Sequence, residues 1–384
     1  MKKEGLSRRD FLLYLAALPL AGCTARDIDR GIGTARRAVS GDVAGVVNQY
    51  IPASGVPEID RLVRRQVQQM INEIQKRWKD EKVPTEKEYV KYTNAYESRA
   101  IVNFDTGEIR VETLAERQPR DALKTAIVAT LLTPEDPSTV NLLSDQEVKI
   151  DGRPFLYQLV MDHEGHYIQD RARAGRYADH LLQTAYKREP LADKTVHFVT
   201  FAMVREYKDN QQFKFLESVR LNSRRFDQPP RLIYAIMEAE SSFNPYAMSH
   251  VPAYGLMQIV PTSAGRDVHQ LLYGRDGTPT REYLFVPENN IRMGVAYLHI
   301  LDTRYLKMIE NPASREFCVI SAYNTGSGNV LIAFDQNRSQ AVAKINRMSP
   351  SGVYDHLVRH LPYQETRAYL PKVVGLKDKY KNVS

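Results

Sequence analysis

Glu240 stands where a carboxylate could do proton chemistry. Pro230 can open a helix at its first turn, where its missing N–H costs nothing. Leu232, Ile233, Ile236 and Met237 then mark a buried stripe. Glu240 follows Ile236 by four residues and Met237 by three, so it continues that stripe; Glu238, two beyond Ile236 and roughly 200° around the helix, is expected to face elsewhere. Asn244-Pro245 ends the helix soon after. A carboxyl on the buried side of a helix end is costly to ionise, so its pKa rises toward the range a general acid needs near neutral pH. The same placement suits a structural glutamate paired with one of the many arginines, and spacing alone leaves both open.

Two other groupings carry less. His163-Glu164-Gly165-His166 looks like the zinc-protease pattern HExxH, but its second histidine falls at i+3 rather than i+4. Gly165 weakens a helix there and no third ligand is evident, so a solvated turn is expected and no metal site. Cys23 and Cys318 are too few for a disulfide framework or a zinc site. Cys318 lies in a helical apolar pattern with Phe317, Val319 and Ile320 and reads as a buried, inert thiol.

Four short motifs change the weighing of Glu240. Glu240-Ser241-Ser242-Phe243-Asn244-Pro245 leads to Ser249, then to Ala253-Tyr254-Gly255-Leu256-Met257-Gln258. Ala322-Tyr323-Asn324-Thr325-Gly326-Ser327-Gly328 and Glu365-Thr366-Arg367-Ala368-Tyr369-Leu370 follow. In order and at this spacing, they resemble the catalytic domain of the soluble-lytic-transglycosylase family, related in fold to goose-type lysozyme, over roughly residues 210–384. The resemblance implies cleavage of the β-1,4 bond between N-acetylmuramic acid and N-acetylglucosamine in peptidoglycan, with no cofactor. Glu240 would protonate the glycosidic oxygen and then deprotonate the muramic acid C6 hydroxyl, giving a 1,6-anhydro sugar. Ser249 would bond near the substrate N-acetyl group, Gln258 would contact sugar or Glu240, and Met257 would form an apolar wall. Tyr323 and Asn324 would line the cleft, and Tyr369 would bring its hydroxyl near Glu240. Pro252 and Thr325 depart from the small residues usual in the family, which bears on local loop shape. Ordinary glycosidases need two carboxylates, and here one is well placed. A water-using muramidase of the same fold would need a second, for which Glu288, Asp302 and Asp335 are the candidates. A non-catalytic glycan-binding envelope lipoprotein is the alternative from another class.

The elements that must position these residues fall into two parts. At about 100–200 residues per domain, 384 residues accommodate two. Apolar residues at 43% and charged residues at 26% suit a globular chain with a real core. The longest apolar run, Phe11–Gly22, would span about 18 Å as a helix against a ~30 Å bilayer core, so a polytopic membrane protein is excluded. Basic residues before that run, and Leu20-Ala21-Gly22-Cys23 at its end, read as a signal peptide (1–22) with a lipobox. Lipidated Cys23 would anchor the chain, through a tether at 23–55, to the periplasmic face of the outer membrane. A net charge of +7 without a dense basic run gives no reason to expect nucleic acid. Ile59 to Trp78 recur at helical steps. Val102 and Phe104, the turn Asp105-Thr106-Gly107, and Ile109 and Val111 form a hairpin; Arg120–Leu132 reads as a helix and Thr195–Arg205 as a strand. The expected fold is an α+β N-terminal domain (56–208) followed by a mainly α-helical, lysozyme-like catalytic domain (209–384). Because residues 210–384 carry all four motifs, a fragment starting near Asn210 is expected to retain weak cleavage.

Overall fold

The computed structural model describes residues 57–382 except 79, 81 and 250–252. The signal peptide, Cys23, the tether and Pro252 lie outside the described residues. Helix α1 (Pro57–Arg77) is followed by Trp78; Met70, Ile71, Ile74 and Trp78 are all buried. They pack on Val90, Tyr92, Val196 and Phe198, one face of an antiparallel sheet. The sheet holds β1 (Glu88–Thr93), β2 (Ser98–Asn103), β3 (Glu108–Thr113), β4 (Lys187–Leu191) and β5 (Lys194–Ala202), in the order β1-β2-β3-β5-β4. Its other face carries Tyr89, Val102, Ile109, Val111, Val199 and Phe201 against α2 (Pro119–Leu131) and α3 (Arg171–Thr184). The hairpin and the 120–132 helix fall where the sequence places them, and the expected 195–205 strand ends earlier, at Ala202.

Three elements escape the sequence pattern for physical reasons. Five of the six β1 side chains are buried because α1 covers one face and the loop residues Phe155 and Tyr246 the other, so the polar–apolar alternation is missing. Even Lys91 is buried, its ammonium donating to the Tyr92 and Ser144 carbonyls. Strand β4 is a short, exposed edge carrying Pro190, which a central strand would not tolerate. In α3 the buried face relies on Ala174 and Ala178 beside Tyr177, Leu181 and Leu182, a weaker signal than a run of large aliphatics.

After Ala202 the elements are helical: α4 (Tyr207–Lys214), α5 (Leu216–Phe226), α6 (Pro230–Ser241), α7 (Arg266–Tyr273), α8 (Arg281–Phe285) and α9 (Pro287–Ile300). Then come α10 (Pro312–Thr325), α11 (Ser327–Ile332), α12 (Arg338–Arg347), α13 (Pro350–His360) and α14 (Gln364–Lys379). Helix α6 is central, packed on α14 and α5 with nine of its twelve residues buried. Apolar packing does not stop where the strands end: one cluster runs from Tyr89 to Tyr380. Tyr246 shows the join, its ring edge-on to Tyr89 and Phe155 and its hydroxyl donating to the Pro134 carbonyl at 2.5 Å. The hairpin turn also docks on the helical half. Gly107 has φ +76°, and a Cβ there would lie 2.9 Å from the Tyr207 ring, whose hydroxyl donates to the Asp105 carbonyl. No helix among the described residues is long and apolar enough to cross a membrane.

Candidate active site

The last turn of α6 carries Glu240. Tyr369, reaching in from α14, donates its hydroxyl to Glu240 Oε1 at 2.5 Å. The residue as a whole is half-buried, and its carboxyl is densely surrounded. Burial pushes its pKa from 4.5 to about 7. The Tyr369 hydrogen bond and the Lys87 and Lys372 charges pull it down, the Glu86 charge pushes it up, and burial prevails. Near neutral pH the group is therefore poised between acid and carboxylate. Burial and the Glu240 charge hold the Tyr369 phenol well above its ordinary range, so it stays a donor.

Glu238 faces away from Glu240, as expected, and is itself buried, only 7% exposed. Tyr380 donates to it at 2.5 Å and Lys379 at 2.9 Å, with Lys208 3.6 Å away. Burial alone would raise its pKa; the hydrogen bonds from Tyr380 and Lys379 and the neighbouring ammonium charges outweigh that and hold it below 4.5. Two glutamates on one helix are thus driven in opposite directions by their surroundings.

The other expected residues fall into two groups. Tyr323 donates to the Met257 carbonyl at 2.8 Å, and burial followed by the Glu240 charge raises its phenol well above the ordinary value. Its ring meets Tyr297 at 5.6 Å. Gln258 has a left-handed backbone (φ 47°); its Nε2 donates to the Gly255 carbonyl at 2.8 Å, while its buried Oε1 has no hydrogen-bond partner. Ser249 and Asn324 are half-buried; the Ser249 N–H donates to the Ala253 carbonyl at 3.1 Å. Met257, expected as a sugar wall, is instead fully buried, and a Cβ on Gly294 of α9 would lie 2.3 Å from its sulfur. It has no surface left to offer a sugar and belongs to the core.

Several residues that hold the site together were not singled out from sequence. Asn290, wholly buried on α9, donates to the Tyr254 and Leu284 carbonyls and accepts the Met257 N–H at 2.7 Å. Gly255 makes this possible: at φ +74°, a Cβ would lie 2.3 Å from Asn290 Nδ2. Ser241 donates to the Leu256 carbonyl at 2.8 Å, tying the end of α6 to the same loop. Lys87 and Glu86, from the segment before β1, reach Glu240 electrostatically from a part of the chain without motifs. Of the second-carboxylate candidates, Asp302 pairs with Arg315 and Asp335 with Lys344, while Glu288 sits in the first turn of α9.

The histidine pattern is a turn between Met161 and Tyr167, with Gly165 at φ +81°. His163 stacks on His180 at 4.1 Å. Asp162, Glu164 and His166 lie close together, but the Asp162 carboxylate already accepts the Glu164 and His166 N–H groups and the Arg173 guanidinium at 2.5 Å. Cys318 is fully buried, and burial pushes its thiol up to about 12.

A helical domain with one poised glutamate at the end of a buried helix is the arrangement of a lysozyme-like glycan-cleaving enzyme. Residues 217–346 match the transglycosylase SLT domain, and residues 58–214 match the N-terminal domain of membrane-bound lytic murein transglycosylase C. A membrane-bound lytic murein transglycosylase C from Klebsiella pneumoniae is 46% identical over 77% of this chain and 82% of its own length. One from Salmonella paratyphi B is 44% identical over 82% and 88%. The chain belongs to the membrane-bound lytic murein transglycosylase C family. Among solved structures, the lytic transglycosylase Slt of Pseudomonas aeruginosa is 25% identical, with a TM-score of 0.35; the match covers 43% of this chain and about a quarter (24%) of that one.

Proposed function

We propose that this peptidoglycan lytic transglycosylase cleaves the bond between N-acetylmuramic acid and N-acetylglucosamine with Glu240 as its only catalytic carboxyl. Protonated Glu240 donates to the glycosidic oxygen as the C1–O bond breaks. The resulting carboxylate then takes the proton from the muramic acid C6 hydroxyl as O6 bonds to C1. The leaving sugar gains a hydroxyl, the enzyme regains its proton, and no water is consumed. The observation that carries this reading is a carboxyl with a pKa of about 7 held by Tyr369 at the open end of a buried helix. Ser249, Gln258, Tyr323 and Asn324 serve as cleft contacts. Such a titrating group also argues against a protein that only binds glycan. The division into an α+β part and a catalytic part near residues 208–209 rests on the end of the strands at Ala202; the two family matches part a few residues later, between 214 and 217. The family name supports a bacterial envelope location. Lipidation of Cys23 and attachment to the outer membrane are our extension from the lipobox, and Cys23→Ala is expected to release the protein from membranes with its catalysis intact.

Digestion of sacculi in ¹⁸O-labelled water tests the chemistry. Anhydro products without label at C1 are expected; labelled reducing ends as the primary product would establish a muramidase. Glu240→Gln keeps the shape but cannot donate and recover a proton, and should cost at least about 10²–10⁴ in turnover.

A further inference from the structure

The end of α6 is held by the N-terminal half. The Lys87 ammonium donates to the Glu238 carbonyl (2.8 Å), the Ala239 carbonyl (2.9 Å) and Ser242 Oγ (3.0 Å), using all three of its protons. Ser242 Oγ donates onward to Asp105 in the hairpin turn at 2.8 Å. The chain just beyond Glu240 is strained: Ser242 and Phe243, neither a glycine, both take left-handed backbones at φ 50° and 62°. Further bonds hold it there. Asn244 donates to the Glu86 carbonyl at 3.3 Å, and the Met248 N–H to the Thr85 carbonyl at 3.3 Å. A helix C-terminus leaves its last carbonyls without intrahelical partners and carries partial negative charge, so a cation there is favoured. Lys372 of α14 adds a second ammonium to the Ala239 carbonyl at 2.9 Å.

We infer that Lys87 is a positioning residue of the active site, clamping the end of α6 so that Glu240 points into the cleft and feels a fixed positive charge. This deepens the reading of Glu240 as the acid and rests on it. The N-terminal domain is then a working part of the catalytic centre and not merely a spacer. The groups facing Glu240 are Tyr369 and Lys372 from α14, Tyr323 from α10, and Glu86 and Lys87 from the segment before β1. Those facing Lys87 are Lys372, Glu240, Asp105 and Glu86, and burial lowers its own pKa to about 8, so it remains charged where Glu240 titrates.

Full-length Lys87→Met, Lys87→Arg and Glu240→Gln are to be compared on sacculi across pH, with Lys91→Met as the control for losing a buried lysine elsewhere. Lys87→Met is expected to lower kcat at least about tenfold and to move the alkaline limb upward by about 0.5 pH unit or more. Lys87→Arg, keeping the charge, should leave the limb in place, and Lys91→Met should leave both limb and kcat unchanged. Should Lys87→Met fail to fold, the Lys87→Arg profile decides: a limb displaced as the Met variant was expected to be would overturn the inference. An unmoved limb in folded Lys87→Met, or the same displacement in Lys91→Met, would also overturn it. Activity surviving in Glu240→Gln would instead overturn the acid assignment itself.

Discussion

Glu238 and Glu240 share a helix and differ in what surrounds them. Hydrogen bonds from Tyr380 and Lys379 and the nearby Lys208 charge hold Glu238 below its ordinary pKa, whereas at Glu240 burial outweighs the Tyr369 hydrogen bond and the Lys87 and Lys372 charges. A single group acting first as acid and then as base must begin protonated, and it generates its own base. The rate is therefore expected to fall as pH rises through about 7, with no acid limb from Glu240. A two-carboxylate hydrolase would give a bell, so the pH profile distinguishes them. Because the Glu86 charge raises the Glu240 pKa, Glu86→Gln should move that limb to lower pH. The same shift carries a stability cost. Folded Glu240 holds a proton that the unfolded chain has released between pH 4.5 and about 7, so stability falls as pH rises through that window. Thermal melts should show Glu240→Gln matching the wild type near pH 4 and exceeding it by at most about 3 kcal/mol at pH 8.

At the level of elements, periodicity revealed what is covered on one side and missed what is covered on both. The β2–β3 hairpin alternates because Asp105-Thr106-Gly107 makes a turn between half-buried strands; β1 does not, because Lys91 and its neighbours are enclosed. The i, i+3, i+4 rule placed Glu240 on the stripe of α6 and Glu238 on another face, and that other face is buried too. Tyr369 came from the family resemblance and not from periodicity, and its hydroxyl does meet Glu240. Neither found Lys87 or Asn290, whose importance lies in which distant backbone carbonyls they meet. The turn glycine gives a test at this scale. Gly107→Ala must accept a positive φ and lie against the Tyr207 ring, so it should lower stability by about 1–3 kcal/mol in thermal denaturation.

For the molecule as a whole, the continuous core revises the expectation for a fragment starting near Asn210. Such a fragment would bare Tyr246, now fully buried on Tyr89 and Phe155, and would lose Lys87 and Asp105 from the end of α6. Uncovering one large side chain alone costs about 1.5–3 kcal/mol, a large share of a typical 5–15 kcal/mol stability. We expect the fragment to melt well below the full chain and to cleave at least about tenfold more slowly, measured by circular dichroism and product release; equal values would show the N-terminal half dispensable. The long reach from Glu240 to Tyr369, 129 residues along the chain, bears on how the enzyme comes into being. A ribosome that has finished Glu240, the Gln258 loop and Tyr323 has still not made α14, which brings Tyr369 and Lys372. A polypeptide that stops before that helix has Glu240 but neither Tyr369 nor Lys372, and nothing of α14 against α6. With Glu240 as the acid, wall-cutting ability is thus among the last properties the nascent chain acquires.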